Sequence, residues 1–208
     1  MSKADKVGEF VNWKISLLQR EDPWSKSMLA KLRRCAGKDL AEASDAWEVI
    51  LNELPDELLC SGPAERTSAT EAEWAIHTAL TLYALHQHGN SFVVSAEKND
   101  GGLSFGSAIR QLISPDKSNE ASIKKRFDAV VTSGDLCELS YHARGIVQLM
   151  CASAVPIKMD YRKFAKDLYF YQYADGRHNV RLGWGTDFYN ETKKKSKEKK
   201  DKEKKEEE

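Results

Sequence analysis

The sequence predicts an all-α protein of eight or nine helices in two packed bundles, and three observations carry that prediction. Apolar residues return at three- and four-residue steps through most of the 208-residue chain. No stretch shows the strict alternation of a half-buried strand. Pro, Gly and Asp fall between the periodic stretches, where helices stop and restart.

Residues 6–20 place Val7, Phe10, Val11, Lys14, Ile15 and Leu18 at helical spacing, and Glu21-Asp-Pro23 ends that helix and opens another. The second, about 23–36, holds Trp24, Met28, Leu29 and Leu32 and stops at Gly37, a C′ glycine. Its Lys31, Arg33 and Arg34 suit the negative end of the helix dipole, or else extend a positive surface. A third helix near 41–53 presents Ala43, Trp47, Ile50 and Leu51, and Pro55, Gly62 and Pro63 mark a linker. The expected organisation is an N-terminal helical segment over 1–62, a basic helical module over 63–192 and a charged tail over 193–208. After Glu73 the chain carries no Asp, Glu, Lys or Arg for over three turns, so the helix over 73–88 is expected to be surrounded by others. At about 22 Å for fifteen residues it is too short to cross a bilayer.

Asn99-Asp-Gly-Gly102 closes a loop that begins at Gly89, and Ser104 caps a helix carrying Phe105, Ala108, Ile109 and Leu112. The next helix runs Ile123, Phe127, Val130 and Val131 along its buried side, with Lys124 and Lys125 opposite and Arg126 at the border. A further helix over 135–151 has Leu136, Leu139, Ala143, Val147 and Met150 as its apolar stripe. A short extended link over 155–160 leads to the most polarised segment, where Tyr161, Phe164, Ala165, Leu168 and Gln172 share one face. Arg162, Lys163 and Lys166 share the other. Arg162 and Lys166 are a like-charge pair four residues apart, which costs a few tenths of a kcal/mol. Only Asp160 and Asp167 stand near in sequence to compensate, so the face is either solvated or met by the phosphates of a polyanion. Gly176-Arg-His178 leads to a last helix over 179–189. Residues 193–208 contain only Lys, Glu, Asp and Ser, and are expected to be disordered or a frayed helical extension.

Lys plus Arg and Asp plus Glu are both 32, so the net charge is zero, but the distribution is uneven. Residues 1–100 carry 11 basic and 16 acidic side chains, residues 101–192 carry 12 and 10, and residues 193–208 carry 9 and 6. The basic surplus therefore lies in the C-terminal half. Cys35, Cys60, Cys137 and Cys151 have no C-x-x-C spacing, which points to core or half-buried thiols and away from zinc or a disulfide framework. Neither a signal peptide nor a membrane span is visible, and a cytoplasmic location is expected. Gly102-Leu-Ser-Phe-Gly106 matches the nucleophile-elbow pattern, but that turn needs a strand on an α/β sheet, and none is readable. His86 and His88 sit two residues apart and diverge on a helix, a poor start for a metal site. No enzymatic activity, metal or cofactor is expected.

Several segments then occur in a meaningful order: Leu80-Thr-Leu-Tyr-Ala-Leu-His86, Ser104-Phe-Gly-Ser-Ala-Ile-Arg110, Lys124-Lys-Arg-Phe127, His142-Ala-Arg-Gly-Ile-Val147, Met159-Asp-Tyr161 and Val180-Arg-Leu-Gly-Trp-Gly-Thr-Asp-Phe-Tyr189. With these the chain, over roughly residues 7–190, resembles the small, CasB-type subunit of the type I-E CRISPR surveillance complex, Cascade. The resemblance implies a helical, non-catalytic protein present as two copies in a guide-RNA complex. Its basic surface would hold nucleic acid during R-loop formation in antiviral defence. It implies as partners the displaced DNA strand, the guide RNA, the large and backbone subunits and a second copy of the chain. Carried over by position, Arg110, Lys124, Lys125, Arg126, Arg144, Arg162, Lys163, Lys166 and Arg181 are the candidates for phosphate contacts. Ser107, Thr186 and Gly183 stand where family members commonly have a basic residue. Among the nine, Arg144 and Arg181 adjoin apolar stripes and are the most structural in character. Trp47, Trp74 and Trp184 are expected in the core, and Tyr169 and Tyr173 are the candidates for stacking on bases. The rival expectation is a helical adaptor that holds subunits together without touching nucleic acid.

Overall fold

The computed structural model describes residues 1–59 and 69–190, and beyond them the helical backbone as far as Glu206. The expected linker residues Gly62 and Pro63, the thiol of Cys60, and the side chains of the Lys/Glu tail lie outside the described residues. Nine α-helices are present among those described: α1 (Lys3–Leu18), α2 (Pro23–Cys35), α3 (Trp47–Leu51), α4 (Glu71–Gln87), α5 (Phe105–Arg110), α6 (Glu120–Thr132), α7 (Leu136–Cys151), α8 (Tyr161–Tyr171) and α9 (Ala174–Glu206). No strand forms among the described residues. Two isolated bridges join Met159 to Ser95 and Leu103, tying the link before α8 to the loop before α5.

Most helix starts follow from local chemistry. The Ser2, Asp22, Thr70, Ser104, Asp135 and Asp160 side chains each accept a backbone N–H of the first turn. At α4 the cap is reciprocal: Thr70 Oγ1 accepts from the Glu73 N–H at 3.1 Å, and the Thr70 N–H donates to Glu73 Oε2 at 2.8 Å. Helix α4 is buried nearly all round, against α1, α2, α3, α7 and α8, as its uncharged run predicts. The buried apolar side chains on both sides of the expected divide at residue 62 form one connected cluster.

Two elements differ from the sequence expectation. The helix expected over 41–53 is two 3-10 turns, Leu40–Glu42 and Ser44–Ala46, followed by the short α3. The reason is the spacing of its buried residues: Leu40, Ala43, Ala46 and Val49 recur every third position, which keeps one face inward at three residues per turn. Trp47 falls off that stripe, is 41% exposed, and donates its indole N–H to the Leu40 carbonyl at 2.8 Å. Helix α9 begins at Ala174, not near 179. Gly176 is not a breaker there; a Cβ on it would overlap the Phe170 carbonyl, so glycine permits the tight corner between α8 and α9.

Gly106 does for α5 what Gly176 does for that corner. A Cβ on Gly106 would overlap the carbonyl oxygen of Trp184, so its absence lets α5 lie directly on α9. Ser104 Oγ is engaged as the helix cap, 3.3 Å from the Ser107 N–H that donates to it. The Gly-x-Ser-x-Gly spacing thus serves packing and capping.

Candidate nucleic-acid interface

The nine candidate cations divide by what each touches inside the chain. On α8 all three are paired. Arg162 donates to Glu9, and its second terminal nitrogen lies 3.5 Å from Glu97. Lys166 reaches Asp5 at 2.6 Å, and Lys163 reaches Asp167, one turn along, at 2.8 Å. The Lys166 ammonium, with Ser2, holds the Asp5 carboxyl well below its usual range. The lack of compensation read from the local sequence is therefore corrected: α1 packs along α8 and supplies the acids from the other end of the chain. Asp167 behaves differently from Asp5. Burial raises it, while Lys163 and the Trp184 indole N–H, at 2.8 Å, pull it down.

Three further candidates are also engaged. Arg110 pairs with Glu120 at 3.0 Å and lies over the Phe188 ring, and Lys124 pairs with Asp128 at 2.7 Å. Arg181 donates to the Ser133 carbonyl at 2.6 Å and to the Tyr171 hydroxyl at 3.3 Å, and the Tyr171 hydroxyl itself donates to Ser133 at 2.7 Å. Arg177, which the sequence did not single out, donates to the Gly134 and Tyr171 carbonyls. Together Arg177, Arg181 and Tyr171 satisfy carbonyls at the end of α6, a structural task that matches the reading of Arg181.

Lys125, Arg126 and Arg144 remain. All three are exposed and have no ion-pair partner among the described residues. Arg144, read from the sequence as one of the two most structural in character, has its stem at the corner after α2, where a Cβ on Gly37 would lie 3.3 Å from its Cδ. Arg126 crosses from α6 to α7, with Nη1 3.7 Å from where a Cβ on Gly145 would sit. Arg144 thus leaves α7 toward the corner after α2, and Arg126 arrives at the next position of α7 from α6. Lys38, exposed and next to Gly37, extends the same surface. It was missed because it belongs to a connection between helices and to no charge cluster in the sequence. The cations at the end of α2 are engaged: Lys31 with Glu48, Arg34 with Asp45, and Arg33 with the ring nitrogen Nδ1 of His88.

Other expected features take ordinary roles. Trp184 is buried and Trp74 is partly buried against the core. Cys35 is buried and Cys151 half-buried, but Cys137 is exposed, contrary to the expectation of buried thiols. Among the described residues no three His, Cys, Asp or Glu side chains come together as a metal site, and no helix is long and apolar enough to cross a membrane.

Comparison with known proteins identifies the family. Residues 28–189 match the family described as CRISPR-associated protein Cse2 (CRISPR_cse2). The crystal structure of CasB from Thermobifida fusca is similar at a TM-score of 0.70 and 30% identity, covering 88% of this chain and 98% of that one. CasB from M. ruber superposes at 0.60 and 23% identity over 95% and 98% of the two chains. A Cse2-family CRISPR-associated protein from Thermus thermophilus superposes at 0.60 and 23% identity over 88% and 97%. The last two speak to the fold alone. Among curated proteins there is no match.

Proposed function

Since the chain belongs to the CRISPR-associated Cse2 (CasB) family, the small subunits of Cascade, we propose that it binds nucleic acid non-specifically and without catalysis. In this reading Lys125, Arg126 and Arg144 contact phosphates and stabilise the R-loop with its displaced strand in antiviral defence. The observation that carries the reading is that these three cations are exposed, two of them, Arg126 and Arg144, at α7, with no carboxylate of the described residues to neutralise them. A phosphate meeting them displaces only counterions, and that release drives binding. At Arg110, Lys124, Arg162, Lys163 and Lys166 a phosphate must first compete with a carboxylate already in place. Guide pairing supplies sequence recognition in such complexes, so a sequence-blind backbone contact is sufficient for the subunit.

The test is binding of the purified chain to labelled single-stranded DNA across a salt series, with Lys125, Arg126 and Arg144 all changed to Glu. Wild type is expected to show a steep salt slope, and the variant to lose about two units of it, at about 0.7 per phosphate contact. Equal affinity and equal slope for the two proteins would overturn the reading.

One observation favours an adaptor instead. An open groove of about 710 Å³ between the α5–α6 connection and the end of α7 is lined by Leu112, Ile113, Leu149 and Val155. Val155 is 61% exposed at its edge. Polar side chains, among them Arg110, Lys117 and Asn119, line it as well, and a groove of mixed lining suits a protein segment. Binding to another Cascade subunit that persists at high salt, with no DNA binding at low salt, is the outcome that favours the adaptor.

A further inference from the structure

Arg126 and Arg144 do not stand alone at α7. Cys137, Tyr141, Arg144 and Gln148 are all exposed, and at 100° per residue they fall within about 60° of one another, a single outward stripe. Tyr141 is 68% exposed, the most exposed Phe, Tyr or Trp described, and its ring meets only the edge of His142, at 5.4 Å. Its hydroxyl has no hydrogen-bond partner among the described residues. Tyr169 and Tyr173, the aromatics that the sequence favours for stacking, are engaged with each other: their rings are 5.5 Å apart and the Tyr173 hydroxyl donates to Tyr169.

Position adds to exposure. Tyr141 lies three residues before Arg144, about 4.5 Å along the helix axis and on the same face. Gly37 lies against the Arg144 stem on one side, and Arg126 reaches Gly145 on the other. The opposite end of the stripe is acidic. Partial burial, and then the negative charges of Asp135, Asp39 and Glu42, raise the Cys137 thiol. A polyanion is therefore admitted across the Tyr141–Gln148 half of α7 and repelled from its first turn.

We infer that Tyr141 is a base-stacking platform on this cationic path, so that the strand held there is one whose bases are unpaired. The inference rests on the phosphate-contact reading of Arg126 and Arg144. A phosphate path alone accepts duplex and single strand alike, whereas a free ring beside it selects a strand with exposed π-faces and no sequence preference. The ring is rigid and already exposed, so stacking orders few rotamers.

The test uses the full chain and two labelled probes of equal length, oligothymidine and an abasic deoxyribose-phosphate strand. Tyr141→Ala is expected to weaken oligothymidine binding about five- to tenfold, to leave abasic binding within about twofold, and to leave the salt slope unchanged. Tyr141→Phe keeps the ring and is expected to bind like wild type. Equal effects of Tyr141→Ala on both probes, or on neither, overturn the inference. The double variant Arg126→Glu, Arg144→Glu reports on the path separately. If it weakens both probes while Tyr141→Ala weakens neither, only the stacking role fails; if Tyr141→Ala acts on oligothymidine while the double variant acts on neither probe, the phosphate reading fails. Absence of wild-type binding to either probe at low salt overturns both.

Discussion

His86 illustrates how a single buried group sets a pH limit. It sits inside α4, with Nδ1 3.2 Å from the Tyr161 hydroxyl, which also lies 3.3 Å from the Leu82 carbonyl. The other ring nitrogen, Nε2, is buried with no hydrogen-bond partner among the described residues, so a proton added to the ring would put a charge where nothing receives it. Burial lowers the ring from its ordinary 6.5 to about 4. The unfolded chain binds the proton first as pH falls, so stability is whole above about pH 6.5 and declines from there toward pH 4, by about 3 kcal/mol in all. Urea melts at pH 7 and pH 4.5 are expected to show that decline, and His86→Phe is expected to flatten it. An unchanged slope in the variant would assign the acid sensitivity elsewhere. Lys14 is the basic counterpart. Its side chain is 3% exposed, its ammonium lies 4.5 Å from the centre of the Trp13 ring and 3.3 Å from Glu53, and burial lowers its pKa. Because desolvation offsets the pairing, Lys14→Met is expected to change stability by less than about 1 kcal/mol, while Glu53→Gln, which leaves the buried charge alone, costs more. Denaturant midpoints of the two variants decide the order.

The contact between α5 and α9 turns on one missing Cβ. Gly106→Ala gains about 1 kcal/mol of helix propensity but drives a methyl group into the Trp184 carbonyl, and backbone cannot swing away as a side chain can. A net loss of about 2 kcal/mol or more is expected. Gly183, on α9, is the control: nothing lies within 4 Å of its Cβ position, so Gly183→Ala is expected to stabilise by about 0.5–1 kcal/mol. Thermal melts of the pair test whether packing, not flexibility, explains the first glycine. Helices such as α4 and α7 were legible, α4 from its long uncharged run and α7 from its apolar stripe, and the caps of both are local. The 3-10 stretch before α3 was not, since Leu40, Ala43, Ala46 and Val49 at three-residue steps also satisfy part of an α-helical pattern. The candidate site was legible only as a list of cations. Which of them are occupied depends on Glu9 and Asp5, which lie 153 and 161 positions before Arg162 and Lys166 and which no local window connects to them.

Across the whole molecule a formal net charge of zero conceals two kinds of cation. Arg162 and Lys166 of α8 close the chain on itself, joining the last third of the fold to α1, whereas Lys125, Arg126 and Arg144 form no ion pair among the described residues. Stability and binding should therefore separate. Changing Arg162, Lys163 and Lys166 to Glu sets new carboxylates against Glu9, Glu97, Asp167 and Asp5, and is expected to lower Tm, on the order of 5 °C. Changing Lys125, Arg126 and Arg144 to Glu touches no described ion pair and is expected to leave stability within about 0.5 kcal/mol, while removing about two units of the salt slope of DNA binding. Any binding lost by the α8 variant should return when the assay is cooled well below its Tm, because that defect is one of folding. The defect of the Lys125, Arg126 and Arg144 variant should persist at every temperature. Should the cooled α8 variant remain unable to bind, its ion pairs must open to phosphate, and the path would then extend from α7 onto α8.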